Sequence, residues 1–439
     1  MDTDVIVIGA GAAGLAAARS LAQQALRVAV VEGRDRIGGR VRWVPSPRAS
    51  LPAELGAEFI HGPASETMAL LRDAGYAAVE TGGDAWIRGD DGKIRNDDRE
   101  FLSSANIIEK ARSLAADESV DRYLARFERD DAMRDAVAGA RAFVEGFEAA
   151  DPALASVRAI ADELHSGVDS VSARPLGGYP PLFERLHDEC VKAGARIELS
   201  TRVRRIAWER GSVVVDTNAV AGASRTLRAR AAIVTLPVGV LRHTGDEYEV
   251  VFEPALTPGK CAAIDTIEMG HVVKVMMWFR SAFWERVRDG RYRGAGFFRD
   301  AKGPFGAYWT QWPIRSEMIA AWIGGPRTAA LSLLSDAERI QCAVRGFGDL
   351  FGETELAHKE FEGGATHDWG SDPFARGAYS YVAVGGGDAR KVLGDPVDDT
   401  LFFAGEATST DGQGGTVNGA FETGERAARE VLAALGKER

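Results

Sequence analysis

The chain is short of what several protein classes need. Its 439 residues include only three cysteines, Cys190, Cys261 and Cys342, far apart and with no CxxC pair. That spacing argues against a disulfide framework and a cysteine-based zinc site, so no metal is expected, and it fits a reducing, cytoplasmic compartment. Positive charge is in deficit: 53 Lys and Arg stand against 64 Asp and Glu, a formal net charge of −11. Nucleic-acid binding relies on clustered basic residues to neutralise phosphates, so no nucleic-acid partner is expected. Apolar runs are short, well below the roughly 20 residues of a membrane-crossing helix. Asp2 and Asp4 stand where a signal peptide would carry Lys or Arg, so a soluble chain with no membrane partner is expected. Internal repeats, low-complexity linkers and the Gly-x-Ser-x-Gly nucleophile elbow are also missing.

What is present describes a folded protein. Hydrophobic residues make up 45% and charged residues 27%, and the length suits two interleaved domains. Fifty glycines are many, and they cluster around residues 9–14, 38–39, 385–387 and 412–419, where backbone has to approach something closely.

Residues 4–8 are a short β-branched run typical of a buried parallel strand. Gly9-x-Gly11-x-x-Gly14 follows, then an alanine-rich helical stretch and a second apolar run ending in Glu32. This is a βαβ dinucleotide-binding unit. The first glycine permits the tight turn, the second lets backbone approach a pyrophosphate, and the third lets helix and strand pack closely. The helix N-terminus faces the anion, and Glu32 is placed to accept ribose hydroxyls. Alone, a glycine triplet is an ordinary turn; here strand, helix and acid all fall in register. Arg34-Asp35-Arg36-Ile37-Gly38-Gly39-Arg40 comes next. By itself it reads as a basic surface turn, but behind Glu32 it tips the cofactor from NAD toward the longer FAD, with arginine available to pair with phosphate.

Further along, residues 64–175 read as a helical insertion around 109–116, 119–129 and 133–147. A helix is expected over 182–193. Strands are expected at 196–199, 203–209, 212–217, 231–236, 272–279, 306–309, 318–323 and 401–403. Two more helices are expected at 336–350 and 416–434. Lys274 interrupts the apolar run of residues 272–279. A buried ammonium costs several kcal/mol unless paired or neutral, so Lys274 either faces water on an edge strand or has a function.

Residues 9–40 resemble the opening of the flavin-containing amine oxidases, and similar segments recur from residue 4 to residue 430. Glu54-Leu55-Gly56-Ala57-Glu58-Phe59-Ile60-His61-Gly62 resembles the stretch beneath the isoalloxazine ring. Thr235-Leu236-Pro237-Val238-Gly239-Val240-Leu241 resembles the segment closing the middle of the FAD domain. Trp369 and residues 372–381 resemble the wall beside the flavin, and residues 401–429 resemble the C-terminal FAD signature. The resemblance implies an α/β fold: a Rossmann-like FAD-binding domain (residues 1–63, 176–262 and 372–439) interleaved with an α+β substrate-binding domain (64–175 and 263–371). It implies FAD contacts at Gly9, Gly11, Ala13, Gly14, Glu32, Arg34, Gly39, Arg40, Gly56, Ala57, Glu58, Phe59, Val203, Gly405, Glu406, Thr416, Val417 and Ala420. Glu406 is expected to accept a ribityl hydroxyl, and the helix starting near Thr416 to face the flavin pyrimidine edge.

The same resemblance makes Lys274 the active-site lysine that holds a water against flavin N5, with burial lowering its pKa so that it assists proton transfer. Tyr379 and Trp369 become pocket walls. The second tyrosine of many monoamine oxidases is replaced by Thr416, which leaves the aromatic sandwich half open, as in polyamine oxidases and histone demethylases. Ala378 stands where a flavin-tethering cysteine occurs in mitochondrial monoamine oxidases, so FAD is expected to be bound non-covalently. His61, within Phe-Ile-His-Gly, resembles the tunnel-facing histidine of polyamine and spermine oxidases, and with Tyr379 and Thr416 it is expected to contact substrate.

The implied reaction is two-electron oxidation of an amine: a hydride equivalent passes from the α-carbon to flavin N5, the imine is hydrolysed to an aldehyde, and dioxygen becomes hydrogen peroxide. A polyamine-type substrate is expected, with Glu163 and Asp169 as candidate anchors for distal ammonium groups. The alternatives are a bacterial-type monoamine or diamine oxidase, then an L-amino-acid oxidase, for which no arginine partner to a substrate carboxylate is evident. Tetrapyrrole oxidases and carotenoid desaturases share the nucleotide motif, but the Lys274 and Tyr379 segments point away from them. A chromatin demethylase is expected to carry an added helical domain and a helical tower, for which 439 residues starting at the nucleotide motif leave no room. A non-catalytic FAD scaffold is the remaining alternative.

Overall fold

The computed structural model describes residues 1–46, 51–89, 91–96, 106–168, 172–219 and 224–437. The apolar run Val5–Ile8 is the middle strand of a five-stranded sheet in the order Arg196–Glu198, Val28–Val31, Val5–Ile8, Ala231–Val234, Leu401–Phe403. Every pairing in it is parallel. Side chains alternate across the pleat. Val5, Val7, Val28, Val30, Ala231, Ile233 and Phe402 face a core shared with the helices Ala12–Gln23, Pro180–Lys192 and Val417–Ala434. Ile6, Ile8, Val31, Ala232, Val234, Leu401 and Phe403 face the other way, toward Ile206, Val213, Val215 and Leu227. The latter belong to a four-stranded sheet in the order Ser224–Ala229, Ser212–Ala219, Thr201–Glu209, Val251–Glu253. Both faces are covered, which is why these strands are continuously apolar in sequence. Each fully buried Val, Ile or Phe contributes about 1.5–3 kcal/mol.

A seven-stranded mixed sheet has the order Phe361–Asp368, Val272–Phe279, Met318–Gly324, Ala307–Trp309, Ala295–Asp300, Asp84–Arg88, Ile94–Asn96. Its pleat also sorts residues. Val273, Val275, Met277 and Phe279 pack with Ile319, Ala321 and Ile323 against Phe347 of the helix Asp336–Phe351. Met276 and Trp278 face the opposite side, with Trp309, Ala53 and Leu55. Lys274, in phase with Met276, is thereby directed toward residues 53–59 and away from solvent.

Two expectations change. Residues 64–175 are not purely helical: Asp84–Arg88 runs parallel to Ala295–Asp300 and extends the seven-stranded sheet. Trp86 provides the reason, since it is 6% exposed and packs edge-on to Tyr292. The strand Phe361–Asp368 was also unexpected, because its Gly363-Gly364 pair weakens the strand signal. A Cβ on Gly363 would lie 2.5 Å from Trp278 Nε1, so glycine is what lets the neighbouring indole lie flat there. The helix Asp336–Phe351 starts where expected, at a capping box of Ser335 and Glu338.

Candidate active site

At the glycine turn the three glycines do different work. Gly9 has φ +109°, and a Cβ on it would lie 2.4 Å from Thr235 Oγ1. A Cβ on Gly14 would lie 1.9 Å from the Gly9 carbonyl oxygen, whereas one on Gly11 would meet nothing within 4 Å among the described residues beyond its chain neighbours. Gly11 also caps the helix Ala12–Gln23 without any side-chain bond to its first N–H groups. Ala13 lies beneath the C-terminal helix, where a Cβ on Gly424 would be 2.3 Å from the Ala13 carbonyl oxygen. Glu32 accepts from the N–H of Ala10 (2.8 Å) and of Arg34 (2.9 Å), which fixes its carboxylate beside the turn. Gly39, at φ +56°, brings the second glycine loop to within a Cβ contact of 3.4 Å from Gly11 Cα. Arg36 pins that loop by donating to the carbonyls of Ile37, Gly39 and Val41, and burial lowers its guanidinium pKa to about 10.

Arg34 donates to Asp372 (2.7 Å), while its Nη2 is buried with no hydrogen-bond partner among the described residues. Val203 is buried in the core that contains Ile8 and Val31. A helix start with free N–H groups, a glycine whose open side faces no protein and a buried unpaired guanidinium nitrogen fit a dinucleotide pyrophosphate.

Arg40 links this turn to the C-terminal segment. Its Nη1 donates to Glu406 Oε1 (2.6 Å) and to the Ala378 carbonyl (3.1 Å). The other Glu406 oxygen accepts from Ser380 Oγ (2.6 Å) and the Gly415 N–H (3.0 Å). Burial would raise the Glu406 carboxyl, but the Arg40 and Arg390 charges outweigh it and hold it below its ordinary range. With both oxygens engaged by protein donors, Glu406 acts first as a brace. Gly405, at φ +126°, ends the strand Leu401–Phe403, and Thr416 caps the helix Val417–Ala434 by accepting from the Gly419 N–H (3.0 Å). Val417 and Ala420 pack on the neighbouring core.

Lys274 is 1% exposed. Its Nζ donates to Glu58 Oε2 (2.6 Å) and to the Gly56 carbonyl (3.2 Å). Gly56 must be glycine here, because a Cβ would lie 1.9 Å from the Arg40 carbonyl oxygen and 3.1 Å from the Trp369 ring. Ala57 is partly buried against the same core as Ile60. Trp369 is buried and donates to the Leu55 carbonyl (3.0 Å). Phe59 lies under the Arg174 guanidinium at 4.7 Å and packs tilted against Trp309 at 5.4 Å.

His61 lies 5.1 Å from the Phe147 ring, edge-on, and 5.8 Å from Phe59. Burial lowers the His61 pKa to about 4, so its imidazole is neutral at physiological pH. The Tyr379 hydroxyl donates to the Phe147 carbonyl (2.5 Å), and its ring lies 3.3 Å from where a Cβ on Gly415 would be. Burial, then the charge of Glu148, push the phenol well above its ordinary pKa. Glu163 is not free: Arg390 Nη2 donates to it at 3.2 Å. Asp169 lies outside the described residues.

The structure thus brings Lys274, Gly56, Glu58, Trp369, Arg40, Ala378 and Glu406 into one connected neighbourhood, and joins His61 to Tyr379 through Phe147. Sequence reasoning missed Arg174, Trp309 and Gln311 around Glu58, and Phe147, Glu148 and Arg390 near Tyr379. Arg174 carried a weak signal, a charge within the short strand Ser172–Pro175, but only the pairing of Ile60 with Ala173 brings it to Glu58. Among the described residues no group of three His, Cys, Asp or Glu is placed to hold a metal, and no helix is long and apolar enough to cross a membrane.

The family profile described as Flavin containing amine oxidoreductase matches residues 12–432. The chain belongs to that family, and its cofactor is FAD. It is 30% identical over 459 residues to polyamine oxidase 3 of Oryza sativa subsp. japonica, covering 97% of this chain and 88% of that one. It is 26% identical over 470 residues to lysine-specific histone demethylase 2 of Homo sapiens, covering 98% of this chain and 53% of that one. The chain thus spans about half the length of that demethylase. Its fold matches the solved structure of cyclohexylamine oxidase from Brevibacterium oxydans IH-35A with a TM-score of 0.82 at 24% identity, covering 99% and 100% of the two chains.

Proposed function

We propose that the protein oxidises a small amine at its α-carbon, with dioxygen as the final acceptor, and that the substrate is of the polyamine or diamine type. The observation that carries this reading is Lys274, a lysine 1% exposed within an apolar strand and bonded to the Gly56 carbonyl beside Trp369. When bound, FAD supplies the acceptor, at N5, for a hydride equivalent from the amine α-carbon. The chain's own residues do the rest. The glycine turn and Arg34 would hold the phosphates. Glu32, held by the Ala10 and Arg34 N–H groups, would accept from the ribose hydroxyls, and Ala378 offers no nucleophile for a covalent tether. Tyr379, Phe147 and the neutral His61 form uncharged aromatic walls that orient the amine without repelling a cation. Lys274 presents an N–H donor to the reacting region. The imine is hydrolysed to an aldehyde, and dioxygen is reduced to hydrogen peroxide.

The division into two domains belongs to the same reading. All five strands of the parallel sheet fall within residues 1–63, 176–262 and 372–439, and all seven of the mixed sheet fall within 64–175 and 263–371. A polyamine or diamine is supported by the carboxyls of buried Glu148 and half-buried Glu163, which interact with one another near Tyr379. The pairing of Glu163 with Arg390 favours a second reading, a monoamine oxidase, because it uses up one of those charges.

A peroxide-release assay with spermine, spermidine, their acetylated forms, putrescine, cyclohexylamine and benzylamine decides between them. Turnover highest on amines with a second nitrogen supports the first reading. Turnover confined to cyclohexylamine and benzylamine moves the protein to the second, and peroxide from none of them contradicts both.

A further inference from the structure

We infer that Glu58 is the positioning residue of Lys274, a clamped carboxylate that fixes the lysine ammonium against the Gly56 carbonyl and so aims its remaining N–H at the reacting region. This rests on the reading of Lys274 given above. An ammonium has three donors. Two are committed, at 2.6 Å to Glu58 Oε2 and 3.2 Å to the Gly56 oxygen, which leaves one direction for the third.

The clamp on Glu58 is unusually complete. Arg174 Nε lies 2.9 Å from Oε1, Trp309 Nε1 donates to both carboxylate oxygens at 3.2 Å, and Gln311 Nε2 donates to Oε1 at 3.4 Å. Arg174 is held in turn by the carbonyls of Trp312 (3.0 Å) and Thr310 (3.1 Å) and by the Phe59 ring. Trp309 and Gln311 sit on and just past the strand Ala307–Trp309, and Lys274 sits two strands away in the same sheet. Glu58 therefore ties the segment carrying Gly56 to the sheet carrying Lys274, through a carboxylate 3% exposed.

One anion here serves two cations, so it is not a simple neutralising pair. Glu54, the other carboxyl nearby, is raised to about 8 by burial and then by the Glu58 charge. At neutral pH Glu58 thus carries the negative charge of the cluster alone. Its removal leaves two buried cations unmatched, a strongly destabilising arrangement.

The test compares wild type, Glu58→Gln, Lys274→Met and the double variant as FAD-loaded enzymes. The readouts are flavin-to-protein ratio, melting temperature, kcat, and KM for the amine. In Glu58→Gln, FAD content is expected to stay at wild-type level, the melting temperature to fall by about 5–10 °C, and kcat to fall about 10- to 100-fold with a much smaller change in KM. The double variant should be no slower than Lys274→Met, and its melting temperature should recover at least half of the loss.

Should Glu58→Gln fail to accumulate, Glu58→Asp replaces it. Asp keeps the charge but shortens the reach by one methylene, so kcat should fall with little change in melting temperature. Wild-type kcat in Glu58→Gln, or losses that multiply in the double variant, would overturn the inference. Wild-type kcat in Lys274→Met would instead overturn the reading of Lys274 itself.

Discussion

Alanine at Gly11 and at Gly14, three residues apart in one turn, should fail in opposite ways. Gly14 lies in the first turn of the helix Ala12–Gln23, and a Cβ there would sit 1.9 Å from the Gly9 carbonyl oxygen. Ordinary contact begins at 3.4 Å, so helix and strand must separate by about 1.5 Å. Overpacking of this kind costs about 1–3 kcal/mol, more than the roughly 1 kcal/mol that alanine gains over glycine in a helix. Gly11 is extended, at φ −80° and ψ −167°, a conformation alanine adopts freely, and its Cβ would touch nothing within 4 Å among the described residues beyond its chain neighbours. Gly11→Ala should therefore leave the FAD-free protein within about 1 kcal/mol of wild type, since the gain of about 0.4–1 kcal/mol through the unfolded chain is offset by alanine's poorer capping of the helix Ala12–Gln23. The same methyl intrudes on the face offered to the pyrophosphate, and a clash of about 1–3 kcal/mol weakens FAD binding by about 10- to 100-fold. The assays are thermal unfolding of the stripped protein by circular dichroism, and FAD titration by quenching of flavin fluorescence. Wild-type FAD affinity in Gly11→Ala, or a stripped Gly11→Ala protein melting well below wild type, would refute the placement of the pyrophosphate at this turn.

Three further outcomes follow from the buried titratable groups and the pocket walls. Glu54 is lifted from 4.5 to about 8, so the folded protein keeps a proton that the unfolded chain has already released across that window, and stability falls as pH rises through it. Glu54→Gln keeps an acceptor for the Tyr179 N–H and should flatten that slope, gaining on the order of 3 kcal/mol at pH 7 relative to pH 4.5, read from urea unfolding at several pH values. His61 titrates near 4, so His61→Gln should leave the shape of the pH–rate profile unchanged between pH 5 and 8 while raising KM for the amine; loss of a limb near pH 6.5 would contradict a neutral His61. Tyr379→Phe removes the bond to the Phe147 carbonyl and should cost about 0.5–1.5 kcal/mol of stability with modest kinetic change. Tyr379→Ala, which also removes the wall, should raise KM markedly in steady-state assays.

The parts of this molecule legible in its sequence are those whose physics is local. The βαβ unit announced itself because a tight turn, a phosphate-facing helix start and close helix packing each demand glycine at a set spacing. Lys274 was conspicuous because an ammonium among Val272, Val273, Val275 and Met276 needs an explanation. What brings it to Gly56 and Glu58 is the pleat phase shared with Met276, which a strand pattern implies, and the packing of that sheet on residues 53–59, which no local pattern encodes. The clamp around Glu58 was invisible for the same reason: Arg174, Trp309 and Gln311 are 116, 251 and 253 residues away in sequence. Asp84–Arg88 was hidden because five residues with charges at both ends carry little strand signal until Trp86 finds Tyr292. Glu163 looked like a free anion in sequence, and only the fold reveals Arg390 beside it.

Whether an amine reduces the flavin of this protein is settled by anaerobic titration. Purified FAD-loaded enzyme would be mixed without oxygen with spermine, spermidine, putrescine and cyclohexylamine in turn while the oxidised-flavin absorbance is followed, and air would then be admitted. Bleaching by at least one of these amines is expected in the wild type, with recovery and peroxide release on aeration, and with far slower cycling in Lys274→Met. A flavin that stays oxidised with every amine, in protein fully loaded with FAD, would contradict it.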